Sequence, residues 1–194
     1  MAENPNDIEN KIVLAAIDCI EKYGMDGTTI RQIARAAEVN VAAINYYFRS
    51  KDALIRKCRE VTLKNAFDFG AMPPMPNLGP TQRCIAIFQE LMEGGFRYPG
   101  ITRSHFRSLI VEGKEDPLLA ESLSRFMKDL CADLEARGCP LGRRELGLAI
   151  SQMLSAVFMT TLAPTLFGGQ GESDFRNPKA GKAYLTHLVE KFLA

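Results

Sequence analysis

Apolar residues recur at three-and-four spacing along almost the whole chain, and no stretch alternates with the period of two that a half-buried strand requires. Ile8, Ile12, Ala15, Ala16, Cys19, Ile20 and Tyr23 form the first such stripe and predict a helix, with Asp7 as its N-cap and Gly24 as its stop. In "TTIRQIARAA", Thr29 and Gln32 have the spacing of a capping box, in which each side chain satisfies a backbone N–H of the other residue. Ile30, Ile33, Ala34 and Ala37 give this short second helix its inner face. Asn40 is placed to cap a third helix running through about Phe48. Ser50 caps a fourth, whose stripe is Leu54, Ile55, Cys58, Val61, Thr62, Ala66 and Phe69.

Four prolines in "AMPPMPNLGP" end that helix, because proline lacks the N–H and clashes with the preceding turn. Ile85, Phe88, Leu91 and Met92 mark a fifth helix and "ITRSHFRSLIVEG" a sixth. Asp116 and Pro117 open a seventh, with Leu119, Leu123, Phe126, Leu130 and Leu134 along it. Residues 142–163 are apolar almost all round, which predicts an eighth helix covered on more than one side. Asn177 and Pro178 open a ninth with Tyr184, Leu185, Leu188, Val189, Phe192 and Leu193. The expected fold is all-α, with a three-helix unit over residues 1–50 and a larger helical body over 51–194, helix four (about 51–70) connecting them. Two apolar helices at the C-terminal end predict a homodimer built as a four-helix bundle from helices eight and nine.

Composition adds limits. With 194 residues, 46% of them hydrophobic, the chain can bury a sizeable core and is not a disordered chain. The net charge of +1 conceals an uneven distribution. Residues 31–60 hold Arg31, Arg35, Arg49, Lys51, Arg56, Lys57 and Arg59 against Glu38, Asp52 and Glu60, a surplus that suits either solvent or a polyanion. The opening "MAENPNDIEN" has no basic segment followed by an apolar one, so no secretory signal is expected. The run "MLSAVFMTTLAPTLF" is short for a bilayer and interrupted by Pro164; a soluble, cytoplasmic protein with no membrane partner is expected. Five Cys without paired spacing and two His predict no metal site and no cofactor.

The second and third helices, each about two turns long and joined by a short turn, have the size of a helix-turn-helix. With Ile44 and Phe48 inward, helix three presents Val41, Ala42, Ala43, Asn45, Tyr46 and part of Tyr47. Small residues let a helix backbone approach base edges in the major groove, where Ala and Val contact thymine methyls and Asn pairs with adenine. Tyrosine hydroxyls and the Lys51 ammonium suit phosphates, although core packing competes for the tyrosine rings.

"TTIRQIARAAEVNVAAINYYFRSKDALI", with the preceding "AAIDCIEKYGMDG", resembles the N-terminal domain of the TetR family of bacterial transcriptional regulators over about residues 10–58. Helix one, the Gly turn, the Thr pair, the aromatic run and the Ser-Lys-acid cap follow in the family's order. The resemblance implies a DNA-binding head and a divergent helical body that binds a small effector and forms the dimer. It assigns Arg31 to the groove, Val41, Ala42 and Ala43 to base-facing positions, and Asn45, Tyr47 and Lys51 to the DNA backbone; Thr29, Asn40 and Tyr46 complete the expected DNA-binding set. Two positions depart from the family's pattern. Glu38 stands where the turn usually has Gly, implying strain or a less left-handed turn, and Asn45 replaces the first aromatic residue, which shifts a phosphate contact toward base readout.

The implied partner is a palindromic double-stranded DNA operator, and the implied action is repression relieved by a small molecule that favours heads no longer matched to major grooves about 34–36 Å apart. A shift of about 100-fold needs only about 2.7 kcal/mol of differential affinity. Phe67, Phe88, Met92, Phe106, Phe126, Met127 and Met153 are the candidate apolar lining of the effector site, with His105, Arg103 or Glu112 as polar contacts; Met and Phe at helical spacing more often serve a core. A thiol-based redox regulator using Cys131 and Cys139 is the alternative function. An enzyme would need a phosphate loop, metal spacing or nucleophile elbow, none of which occurs, so no catalytic residue is assigned. A purely structural protein has no use for the helix-three surface.

Overall fold

The computed structural model describes residues 5–167 and 174–193, and the regular structure among them is helical throughout. In chain order the helices are α1 (Pro5–Gly27), α2 (Ile30–Ala36), α3 (Val41–Phe48), α4 (Lys51–Phe67), α5 (Pro80–Arg97), α6 (Pro99–Glu112), α7 (Pro117–Ala136), α8 (Arg143–Leu162), a single turn α9 (Pro164–Phe167) and α10 (Pro178–Leu193). The all-α expectation holds, and the expected ninth helix is α10, since Pro164 starts an extra turn that no hydrophobic period announces. Three local expectations need correction. Asp7 is not the N-cap of α1 but lies in its first turn, where its carboxylate faces the positive helix pole. Helix four ends at Phe67, and Phe69 lies in a separate 3₁₀ turn, Phe69–Ala71. Tyr23, at the end of the first apolar stripe, is 43% exposed.

The chain packs as two units. The first is Met1–Lys64 with Gly100–Asp116, so it contains α1 to α3, most of α4 and nearly all of α6. Its core joins Ile12, Ala16 and Ile20 of α1, Ile33 and Ala34 of α2, Ile44 and Phe48 of α3, Leu54 and Cys58 of α4, and Ile101 of α6. Burial of each large apolar side chain contributes roughly 1.5–3 kcal/mol, which is what holds short helices that would not persist alone. Gly24, at φ 73°, breaks α1 as expected, and Thr28 closes the following turn by donating its N–H and hydroxyl to the Gly24 carbonyl at 3.1 and 2.7 Å.

The second unit is Asn65–Pro99 with Pro117–Ala194. Here α8 packs against α5, α7 and α10, and buries Leu146, Ala149, Ile150, Met153, Leu154 and Val157. By length and composition alone α8 could also cross a membrane; it is longer than the apolar run seen in the sequence, and its inward face is occupied by this core. Its other face is less well covered: Leu148 is 59% and Met159 47% exposed. Two arginines fix the proline-rich loop. Arg137 donates to the carbonyls of Pro74, Met75 and Leu78, and fully buried Arg83 donates to that of Pro73. Asp133 accepts from both, at 3.3 Å from Arg83 and 2.8 Å from Arg137.

Candidate nucleic-acid interface

Local hydrogen bonding sets α2 and α3. The Thr29 N–H donates to Gln32 Oε1 at 2.6 Å and the Gln32 N–H to Thr29 Oγ1 at 3.3 Å, completing the capping box. Asn40 Oδ1 accepts the Ala43 N–H at 2.7 Å and Ser50 Oγ the Ala53 N–H at 3.1 Å. Between α2 and α3 the Val39 N–H reaches the Ala34 carbonyl and the Glu38 N–H that of Arg35, the paired bonds of a Schellman turn. Its left-handed position is Glu38, at φ 54°. The turn is therefore fully left-handed despite the missing Gly, and carries the strain of a Cβ there. The Lys11 contact to Glu38, 3.4 Å and exposed, offsets little of it.

Ile44 and Phe48 face inward, at 1% and 7% exposure, while Tyr46 is 81% exposed. Val41, Ala42 and Asn45 are exposed and Ala43 half-buried, so one face of α3 offers small side chains, an amide and a phenol to the outside. Tyr47 packs against the core of the first unit and meets Tyr46 edge-on, ring centroids 5.2 Å apart. Thr29, Arg31 and Asn40 are exposed.

The basic surplus sorts itself by pairing. Arg56 pairs with Glu60, Lys57 with Glu9, and Arg59 with Asp116, while Lys51 donates to the Met25 carbonyl at 3.0 Å and so ties α4 to the end of α1. Arg31, Arg35 and Arg49 have no acid partner among the described residues. Arg35 and Arg49 were not in the expected set; the signal for Arg35 was its spacing of four from Arg31, on the same face of α2.

Within the same unit α6 is joined to α1 and α4 by polar contacts. The Glu21 carboxylate accepts the N–H groups of Gly100 and Ile101, Arg107 pairs with Asp26 at 3.1 Å, and His105 Nε2 lies 3.1 Å from Thr62 Oγ1. His105 is 8% exposed, and its Nδ1 is buried without a hydrogen-bond partner among the described residues. Burial, with the Arg59 charge as a second cause, pushes its pKa down to about 3, so the ring is neutral.

The candidate effector residues divide between the units. Arg103 (exposed), His105 and Phe106 (half-buried) belong to the first. In the second, Phe88, Met92, Phe126 and Met153 are fully buried, Met127 is half-buried, and Phe67 meets Phe126 edge-on at 5.3 Å. Met92 also borders a cavity between α5 and the start of α10. Among the described residues no group of three or more His, Cys, Asp or Glu could hold a metal ion. Burial raises the thiol pKa of Cys19, Cys84 and Cys131, and that of Cys58 up to about 12; protonated thiols are poor nucleophiles.

Known proteins share this fold. Residues 12–58 match the model of the family described as bacterial regulatory proteins, tetR family. A protein of Xanthobacter autotrophicus, described as an uncharacterized HTH-type transcriptional regulator in the dhlA 5' region, is 25% identical over 146 residues, 74% of this chain and 72% of that protein. A tetR-family transcriptional regulator from Streptomyces coelicolor superposes with a TM-score of 0.70 at 16% identity, covering 96% of this chain and 79% of that one. The transcriptional regulator FadR from Bacillus subtilis, solved in complex with stearoyl-CoA, gives 0.66 at 13% identity over 95% and 97% of the two chains.

Proposed function

We propose that this chain, whose residues 12–58 match the tetR family of bacterial regulatory proteins, is a DNA-binding transcriptional regulator of that kind and acts as a homodimeric repressor released from its operator by a small molecule. The observation that carries this reading is the outward face of α3, where Val41, Ala42, Asn45 and Tyr46 are exposed on a helix anchored by Ile44 and Phe48. In it Val41, Ala42 and Ala43 approach base edges and Asn45 reads an adenine or grips a phosphate. Arg31, Thr29, Asn40, Tyr46, Tyr47 and Lys51 hold the head to the backbone, with Arg35 and Arg49 adding charge.

The dimer is proposed through α8 and α10. Leu148 and Met159 lie on one face of α8 with Ser151, Gln152 and Ser155, a surface that a second copy would cover, and Tyr184, Leu188 and Phe192 extend it as a half-buried stripe on α10. Such a pair has two-fold symmetry and calls for a palindromic operator. FadR's complex with stearoyl-CoA supports a small-molecule effector for a protein of this fold. The proposed contacts are Phe67, Phe88, Met92, Phe126, Met127 and Met153 of the second unit; the other expected contacts, Arg103, His105, Phe106 and Glu112, belong to the first unit and are not proposed as part of that site. The site of action is the cytoplasm, where bacterial DNA lies. Footprinting on DNA upstream of the protein's own gene tests the whole reading: two protected half-sites about one helical turn apart support it, and a single asymmetric patch opposes the dimer.

A further inference from the structure

We propose that the cavity between α5 and the first turn of α10 binds a small organic monoanion with an aromatic or otherwise apolar body. The cavity measures about 220 Å³ and lies wholly in the second unit. That is room for about seven waters, below the usual range for drug-sized ligands, so it sets a small ligand. Its apolar wall is Met92, Phe96 and Phe175, and the Phe175 ring is held in place by stacking on Tyr184 at 4.4 Å. Gly181 lets α10 come close: a Cβ there would stand 2.7 Å from Met92 Cε and 2.8 Å from the Phe175 carbonyl oxygen. A backbone brought this near leaves a shaped, rigid wall beside the opening.

The rim carries the charge. Arg97, Arg176 and Lys182 border the opening, with Glu93 as the one acid among its lining residues. Arg176 is committed to Asp174 by a two-pronged contact, at 2.9 and 2.6 Å. Glu93 accepts from Gln89 at 2.8 Å. Neither Arg97 nor Lys182 pairs with an acid among the described residues, so two cations stand over an apolar wall against a single carboxylate. A carboxylate or sulfonate satisfies the two cations, and its ring or chain fills the wall; a cation meets them as repulsion.

Arg97 is the last residue of α5, and three residues later comes Gly100, whose N–H is held by Glu21 of α1. A ligand that draws on Arg97 therefore acts on the chain immediately ahead of that clasp. Its role as an effector rests on the regulator reading; the binding does not.

The test is calorimetric titration of the full-length protein with 1-naphthoate, 1-naphthylmethanol and 1-naphthylmethylamine. The acid binds at least about tenfold tighter than the alcohol, and the amine is weakest. Arg97→Ala combined with Lys182→Ala, both exposed side chains, brings the acid to the alcohol's affinity while leaving the melting temperature unchanged. Equal affinity for acid and alcohol, tightest binding of the amine, no binding of the acid at millimolar concentration, or an unaffected double variant each overturns the site. DNA titrations of the same samples separate the two readings. Carboxylate binding without DNA binding overturns the regulator reading alone; DNA binding without carboxylate binding overturns this site alone; and both together, with DNA affinity indifferent to the acid, overturn the effector role.

Discussion

The carboxylate of Glu21, on α1, accepts the backbone N–H of Gly100 at 2.7 Å, and its other oxygen accepts that of Ile101 at 2.7 Å. These are two of the donors that the start of α6 leaves without intrahelical partners, and the charge on Glu21 suits the positive helix pole. Gly100 is required by the closeness of the approach, since a Cβ would meet the Ile20 carbonyl oxygen at 2.9 Å. Pro99 and Pro117, on either side of this stretch, belong to the second unit, so this clasp lies where the chain passes from one unit to the other.

Glu21→Ala is expected to lower stability by about 1–3 kcal/mol, because it strands two backbone donors, and Glu21→Gln by less, because one acceptor oxygen survives. Denaturant melts of the two variants beside the parent protein measure this. Equal stability of all three would mean that the clasp does not hold α6 in solution.

Glu38 occupies a left-handed position that Gly adopts without steric cost. Glu38→Gly is expected to raise stability by about 0.5–1 kcal/mol, the relief of Cβ strain less the extra freedom gained by the unfolded chain. A lowered denaturation midpoint would show that the Lys11 contact or another role of the carboxylate outweighs the strain.

His105 makes stability depend on pH. Its folded pKa lies at about 3 against an ordinary value of 6.5, so between those values the unfolded chain binds a proton that the folded chain refuses. Stability from this group is intact above pH 6.5 and declines as pH falls toward 3, with a slope approaching about 1.4 kcal/mol per pH unit. Replacing it by Gln removes that component; urea melts at several pH values that run parallel for parent and His105→Gln would contradict the account.

What could be read from the sequence was what is local in the chain. The Thr29–Gln32 box, the Asn40 and Ser50 caps and the inward pair Ile44 and Phe48 depend on residues three or four apart, and all stand in the structure as expected. Whether Tyr46 or Tyr47 packs inward was left open, because the two are adjacent and either ring could turn to the core; the fold chooses Tyr47. The left-handedness of Glu38 was half legible, since the resemblance puts Gly at this turn but Glu is the wrong kind of residue to announce a positive φ.

The polar joints of α6 were not legible. Glu21 and Gly100 are 79 residues apart, and Thr62 and His105 43, so no periodicity links them. Arg83 shows the same limit: a cation is expected in water, and its full burial makes sense only beside Asp133, fifty residues on. The rim of the α5–α10 cavity escaped notice for this reason too, because Arg97 and Lys182 come from distant segments.

The central claim is that α2 and α3 read DNA, and affinity for DNA upstream of the protein's own gene, measured at two salt concentrations for the parent, Arg31→Ala and Asn45→Ala, tests it most directly. The account predicts binding that falls steeply with salt, a loss of about 1–3 kcal/mol for each variant, a salt slope reduced by about one for Arg31→Ala, and relaxed preference at one base position for Asn45→Ala. Weak binding that ignores sequence and is unchanged by either substitution would contradict it.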